Sequence, residues 1–196
     1  VEITLLRRPE EVLIPIVKGE FLQNLGFEVD VDKVSFTIFG IRMQGVLKKK
    51  VEDENVVIVI SNKLGGIKLD IKIIQLDEYS SRLKMDIHDW GLIGPLLKSK
   101  VRNNLINFVI KAEFESNVRV ERKLKIKLYT NYLGLLKLFD TLLKEGERNS
   151  YYVLIINKGE YVVEIVNDIL LSMEEIKNAC EKLCYIEIYE LKPISI

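Results

Sequence analysis

The sequence predicts an α+β chain: an antiparallel sheet around one long helix, followed by a smaller β-α-β-β-α-β unit. Three observations predict it. Apolar residues alternate with polar ones through residues 34–88, between short polar turns. This is the mark of antiparallel strands with one buried face. The period then changes to steps of three and four across Leu92–Phe114, the spacing of one face of a helix. After residue 118 a complete second pattern begins. We therefore place domains at 1–118 and 119–196.

Glu2–Arg7 reads as a strand. Pro9 suits a first helical turn, with Glu10 and Glu11 near its positive end. Pro15 and Gly19 are expected to interrupt that helix, and a second turn, Glu20–Leu25, stops at Gly26. Strands are expected at Phe27–Val31, Val34–Ile41, Arg42–Glu52, Val56–Ile60, Ile67–Ile73 and Arg82–His88. The cleanest alternation sets Ile67, Leu69, Ile71 and Ile73 against Lys68, Asp70 and Lys72. Past Trp90-Gly91, the residues Leu97, Val101, Leu105, Phe108 and Ala112 form one helical stripe, which should end near Ser116-Asn117.

The second pattern opens with a strand at Lys123–Tyr129 and a helix at Asn131–Glu145, with Thr130 or Asn131 as N-cap and Gly146 beyond its end. Strands Tyr151–Asn157 and Tyr161–Val166 flank the hairpin signal Asn157-Lys158-Gly159. Ser172 and Glu175 form a capping box for a helix running to about Cys184, and Tyr185–Leu191 closes the set. This element order is that of a ferredoxin-like split unit.

Charge limits the choice of partner. The chain has 29 basic and 29 acidic side chains. Residues 1–120 carry 18 and 17, and the remainder 11 and 12. A phosphate-binding domain normally shows a basic excess, so no nucleic-acid partner is expected. No apolar run is long enough to cross a bilayer, and Arg7, Arg8 and Pro9 do not fit a signal peptide. The expectation is a soluble cytoplasmic protein. Abundant Ile, Lys, Glu and Leu with few Gln, Cys and Met suit a heat-adapted source.

The first domain resembles the START-like superfamily, also called helix-grip or SRPBCC proteins. Val1–Val12, ending Arg8-Pro9-Glu10-Glu11-Val12, looks like that superfamily's strand and Pro-Glu-Glu-Val helix start. Phe36–Val51, around Gly40 and Gly45, resembles the strand pair of its carbon monoxide dehydrogenase-related members. Leu92–Phe114 resembles their terminal helix. Lipid carriers of thermophilic archaea share the fold. Most members end at that helix, whereas this chain continues.

The resemblance implies a cavity between sheet and helix. Its expected lining is Phe36, Ile38, Leu69, Ile71, Leu83, Met85, Ile87, Leu97, Val101, Leu105 and Phe108. A solid core is the plainer reading of any one of these side chains. Arg42, beside Gln44, is the candidate for holding an acidic ligand head. Trp90 and His88 are placed at a pocket mouth. His88 and Asp89 fall on opposite faces of a strand and so form no catalytic pair. There is no Gly-x-Ser-x-Gly motif and no cysteine near the histidine, so no catalytic residue is expected. One histidine and two cysteines are too few for a metal site of those ligands, and no metal or cofactor is expected. Cys180 and Cys184 read as small buried residues on one helix face rather than a redox pair.

The leading expectation is a non-enzymatic carrier of a long-chain fatty acid or isoprenoid quinone. The alternatives are an accessory or regulatory protein-interaction module and an enzyme acting on an apolar substrate. The second domain is expected to serve a protein partner or a homodimer.

Overall fold

The computed structural model describes residues 1–53, 55–113, 119–145, 151–166, 169–170 and 173–194. The chain is α+β and forms two compact units, Val1–Ala112 and Glu113–Ile196.

In the first unit β1 (Glu2–Leu5) leads to α1 (Pro9–Lys18) and α2 (Glu20–Asn24). The strands β2 (Glu28–Asp30), β3 (Lys33–Ile38), β4 (Ile41–Glu52), β5 (Asn55–Asn62), β6 (Gly65–Gln75) and β7 (Ser81–Gly91) follow, then α3 (Gly94–Glu113). Adjacent strands are antiparallel in the order β2-β3-β4-β5-β6-β7-β1. Alternation sets the faces. Val56, Ile58 and Ile60 of β5 are buried, as are Ile67, Leu69, Ile71 and Ile73 of β6 and Leu83 and Met85 of β7. The α3 stripe Leu97, Val101, Leu105 and Phe108 is buried too. Phe108 meets Phe21 of α2 edge to face, ring centres 4.9 Å apart. Lys98 ties the first turns of α3 to Asp89 of β7 at 2.9 Å.

Several strand ends shift by one to three residues from expectation, and two differences have a clear physical cause. Pro15 does not interrupt α1 but lies inside it; the helix stops only at Gly19, whose φ of 89° gives a left-handed cap. Phe39 and Gly40 form a turn, so the strand expected to reach Ile41 ends at Ile38. The expected helix stop near Ser116-Asn117 lies outside the described residues.

The second unit contains β8 (Arg119–Thr130), α4 (Tyr132–Glu145), β9 (Tyr151–Ile156), β10 (Tyr161–Val166), the two-residue β11 (Ile169–Leu170), α5 (Met173–Ala179) and β12 (Cys184–Ile194). The α4 N-cap is Asn131, whose Oδ1 accepts from the Gly134 amide at 2.9 Å. The Ser172 cap and Gly146 stop fall outside the described residues. Apart from the added two-residue β11, the element order is the expected β-α-β-β-α-β; the neighbour order does not match the ferredoxin-like unit. In that unit the first and third strands are central. Here the order is β10-β9-β12-β8, so the second and fourth are. Burial gives the reason. Strands β9 and β12 are buried along most of their length, as strands with a neighbour on each side are. Strand β8 carries Arg119, Arg122, Lys123, Lys125 and Lys127 and is largely exposed. Such charge suits the flank of a sheet. Leu135, Phe139, Leu154, Ile156, Ile176, Ile186 and Ile188 lie in one apolar core with both cysteines.

Candidate functional site

The inner face of β5, β6 and β7 and the stripe of α3 hold most of the residues expected to line a pocket. Leu69, Leu83, Met85, Leu97, Val101 and Leu105 expose none of their surface, and Phe36, Ile71 and Phe108 at most 2%. Water-sized space inside a protein would register as exposed surface on its walls. These nine side chains therefore fill their space. Ile38 and Ile87 are half-buried at the same end of the sheet. Arg42 and Trp90 are exposed on the opposite face, because strand parity pairs Arg42 with Thr37 and sets Trp90 beside Gly66. Trp90 packs so closely on Gly66 that a Cβ there would meet its ring at 2.7 Å.

Open space occurs at the β2–β4 side of the unit. The register sets Lys33 opposite Val46, so β3 leaves the rest of β4 without a neighbour on that side. There the inward residues Leu47 and Lys49 meet the end of α1. The result is a cleft of about 440 Å³. Leu47, Val29 and Val31 line it, backed by the buried Ile16 and Leu22, and Gln23 and Asp32 share the lining. Lys18 and Lys49 stand at its rim. Lys49 Nζ donates to the Val17 carbonyl. The Asp32 carbonyl accepts from the Leu47 amide at 2.7 Å and fixes the β2–β3 turn over β4.

Val31 caps this lip with φ 51° and 90% of its surface exposed. A β-branched residue in left-handed backbone is a true outlier, and exposure gives its side chain no packing in return. The β9–β10 turn places Asn157, Lys158 and Gly159 at positive φ, none of them β-branched. Turn stability alone does not account for a valine at position 31.

A second groove, about 630 Å³, lies on the outer face. Arg42, Gln44, Lys33, Ser61 and Lys63 line it, and the Arg42 guanidinium is bound to Glu28. Arg42 and Gln44 thus share a groove, but away from the apolar interior where Arg42 was expected to meet a ligand head. His88 is exposed on the outer face, with Nε2 3.4 Å from Asp70 Oδ2. Asp89 points the other way, toward Lys98.

The second unit has a polar cluster that the residue pattern alone did not single out. Tyr185 and Tyr189 donate to the two oxygens of Glu187, at 2.7 and 3.0 Å. Lys127, opposite on β8, lies 3.4 Å from the same carboxylate. Burial pushes the Glu187 carboxyl up, but these hydrogen bonds outweigh it and hold the group below the usual range. Burial and the bond to Glu187 push the Tyr189 hydroxyl up. The available signal was Tyr-x-Glu-x-Tyr on one face of a strand. Among the described residues no group of three or more His, Cys, Asp or Glu could hold a metal ion.

The cysteines correct another expectation. Cys180 and Cys184 are buried but joined in a disulfide, with Cα atoms 4.9 Å apart. The helix expected to carry both ends at Ala179, and Cys184 opens β12. The turn between them brings the two together.

No family model, no curated protein and no solved structure matches this chain.

Proposed function

We propose that the first unit is a START-like, helix-grip binding module for an amphipathic ligand with an apolar chain and an acidic head, a long-chain fatty acid above all. The unit is a carrier rather than an enzyme. The carrying observation is the cleft between α1 and β4: a mixed lining with five apolar side chains, two lysines at the rim, and Val31 displayed on the lip. Small-ligand sites combine apolar lining with polar groups that set orientation; here the two are mixed, with Gln23 and Asp32 beside the apolar side chains. The chain enters beside Leu47, and the carboxylate stays at the wet rim with Lys18 and Lys49. Each buried CH₂ contributes about 0.8 kcal/mol before the costs of ordering. The site thus moves from the interior face first expected to the open side of the same sheet. The second unit is read as a variant of the ferredoxin-like split unit with a rearranged strand order, serving a protein partner or a second copy.

Titration calorimetry with saturated fatty acids of increasing length tests this. Affinity should rise with each added CH₂ and then level off when the cleft is full. Lys49→Ala should weaken binding of the acid more than that of the matching alcohol. Affinity independent of chain length would overturn the proposal.

A further inference from the structure

The first unit presents three apolar turns at one end of its sheet. Phe39 and Ile41 form the tip of the β3–β4 hairpin, and they are 85% and 67% exposed. Leu64 lies in the β5–β6 turn, and Trp90 and Leu92 lie where β7 gives way to α3. The register places all three at the same end. Strand β3 ends where β4 begins, β5 where β6 begins, and the last residue of β7 is level with the first of β6. The Leu92 amide donates to the Leu64 carbonyl at 2.8 Å, which joins two of the turns directly.

Neither sequence economy nor turn chemistry accounts for these residues. The two-residue β3–β4 turn has φ of 50° at Phe39 and 78° at Gly40. That is the turn in which Asn-Gly is preferred, because both central residues need positive φ. A phenylalanine there is strained and stands in water. Segments 38–42, 60–66 and 90–95 contain no Asp or Glu, whereas Arg42 and Lys63 are present. Of the acids beside them, Glu28 and Asp89 are bound to Arg42 and Lys98.

We infer that this end of the first unit docks on the surface of a lipid bilayer carrying anionic headgroups. Phe39, Ile41, Leu64 and Leu92 enter the acyl boundary, and Trp90 rests at headgroup level. Exposed apolar tips with nearby cations and a tryptophan are the elements that interfacial anchoring uses. The hairpin tip runs about four residues, roughly 13 Å, beyond the β5–β6 turn. The membrane plane therefore crosses the strands obliquely, from the hairpin to Trp90. The inference does not depend on the cleft holding a ligand.

The chain has one tryptophan, so its fluorescence reports this end alone. The full chain is titrated with phosphatidylcholine vesicles, with and without phosphatidylserine, and bound protein is measured by sedimentation. Trp90 emission should move to the blue, more so with the anionic lipid. Phe39→Asn should lower vesicle affinity roughly tenfold, the loss of one buried aromatic side chain. Its melting temperature should stay level or rise, because Asn-Gly suits the turn. Leu92→Asp should reduce binding to a similar extent. The inference is overturned by no blue shift and no sedimentation with either vesicle, or by binding that survives both substitutions. Loss of binding in Lys49→Ala with Phe39→Asn unaffected would also overturn it, and would point to the cleft instead.

Discussion

The two units reach stability by different means. In the first, an inner sheet face and the α3 stripe close on each other with side chains that expose no surface. In the second, a smaller apolar core is supplemented by a disulfide inside it and a tyrosine–carboxylate–lysine network on a strand face. Less core is available as a domain shrinks, so covalent and polar ties count for more. The contrast separates what packing alone can hold from what needs support. The cleft of the first unit and the polar network of the second both lie outside the best-packed region.

The largest expected effect tests the closed half of the first unit. Leu97→Ala should cost about 2–5 kcal/mol, the range for deleting a fully buried leucine. Urea unfolding measures it. Fatty-acid affinity should stay within about twofold, because Leu97 lies away from the cleft. A cost well under this range would mean that the interior relaxes into a space already present, and the contrast between closed interior and open side would fail. Next in size is the disulfide. Replacing Cys180 and Cys184 together by serine should cost about 2 kcal/mol for so short a loop. Hydrogen exchange should quicken in α5 and β12 and not in β5–β7. Equal quickening in both units would show that they do not divide as proposed.

The same contrast explains what was legible in the sequence. Strands β5, β6 and β7 were read in place and in face, though each runs three or four residues longer than expected, because one buried face imposes period two. The long helix was equally plain, since Leu97, Val101, Leu105 and Phe108 can share a face only in a helix. The neighbour order of the second unit was not legible, because alternation along a strand does not say which strand lies beside it. The charge on β8 was the available clue to its outer place. The cleft was missed for a related reason. It depends on β3 stopping short of the full length of β4, and so on register, which residue types do not record. Val31 and Phe39 were legible as letters but not as outliers, since only the backbone reveals their positive φ. Overall charge balance likewise hid the basic bias of β8 within a neutral chain.

The smallest expected effect is a pH dependence of the Glu187 network in the second unit. It is separate from that of Asp77 in the first, whose carboxyl is held low by hydrogen bonds from Ser80 and Tyr79. The Glu187 carboxyl is held below its usual range, so the unfolded chain binds its proton more readily than the folded one. Its stabilising contribution is therefore full above the unfolded-state pKa and fades as pH falls through the folded one. Tyr189 and Lys127 are both raised, so their contributions are full below their unfolded values and fade as the solution becomes strongly alkaline. The network should thus hold across the neutral range and loosen at both ends, acid first through Glu187. Tyrosine signals in near-ultraviolet circular dichroism would follow it, since Tyr185 and Tyr189 both donate to that carboxylate. Glu187→Gln should flatten the acid limb, because the amide does not titrate, and leave α3 exchange unchanged. An acid limb that persists in Glu187→Gln would assign the dependence to other carboxylates, and the polar support attributed to the second unit would then rest on the disulfide alone.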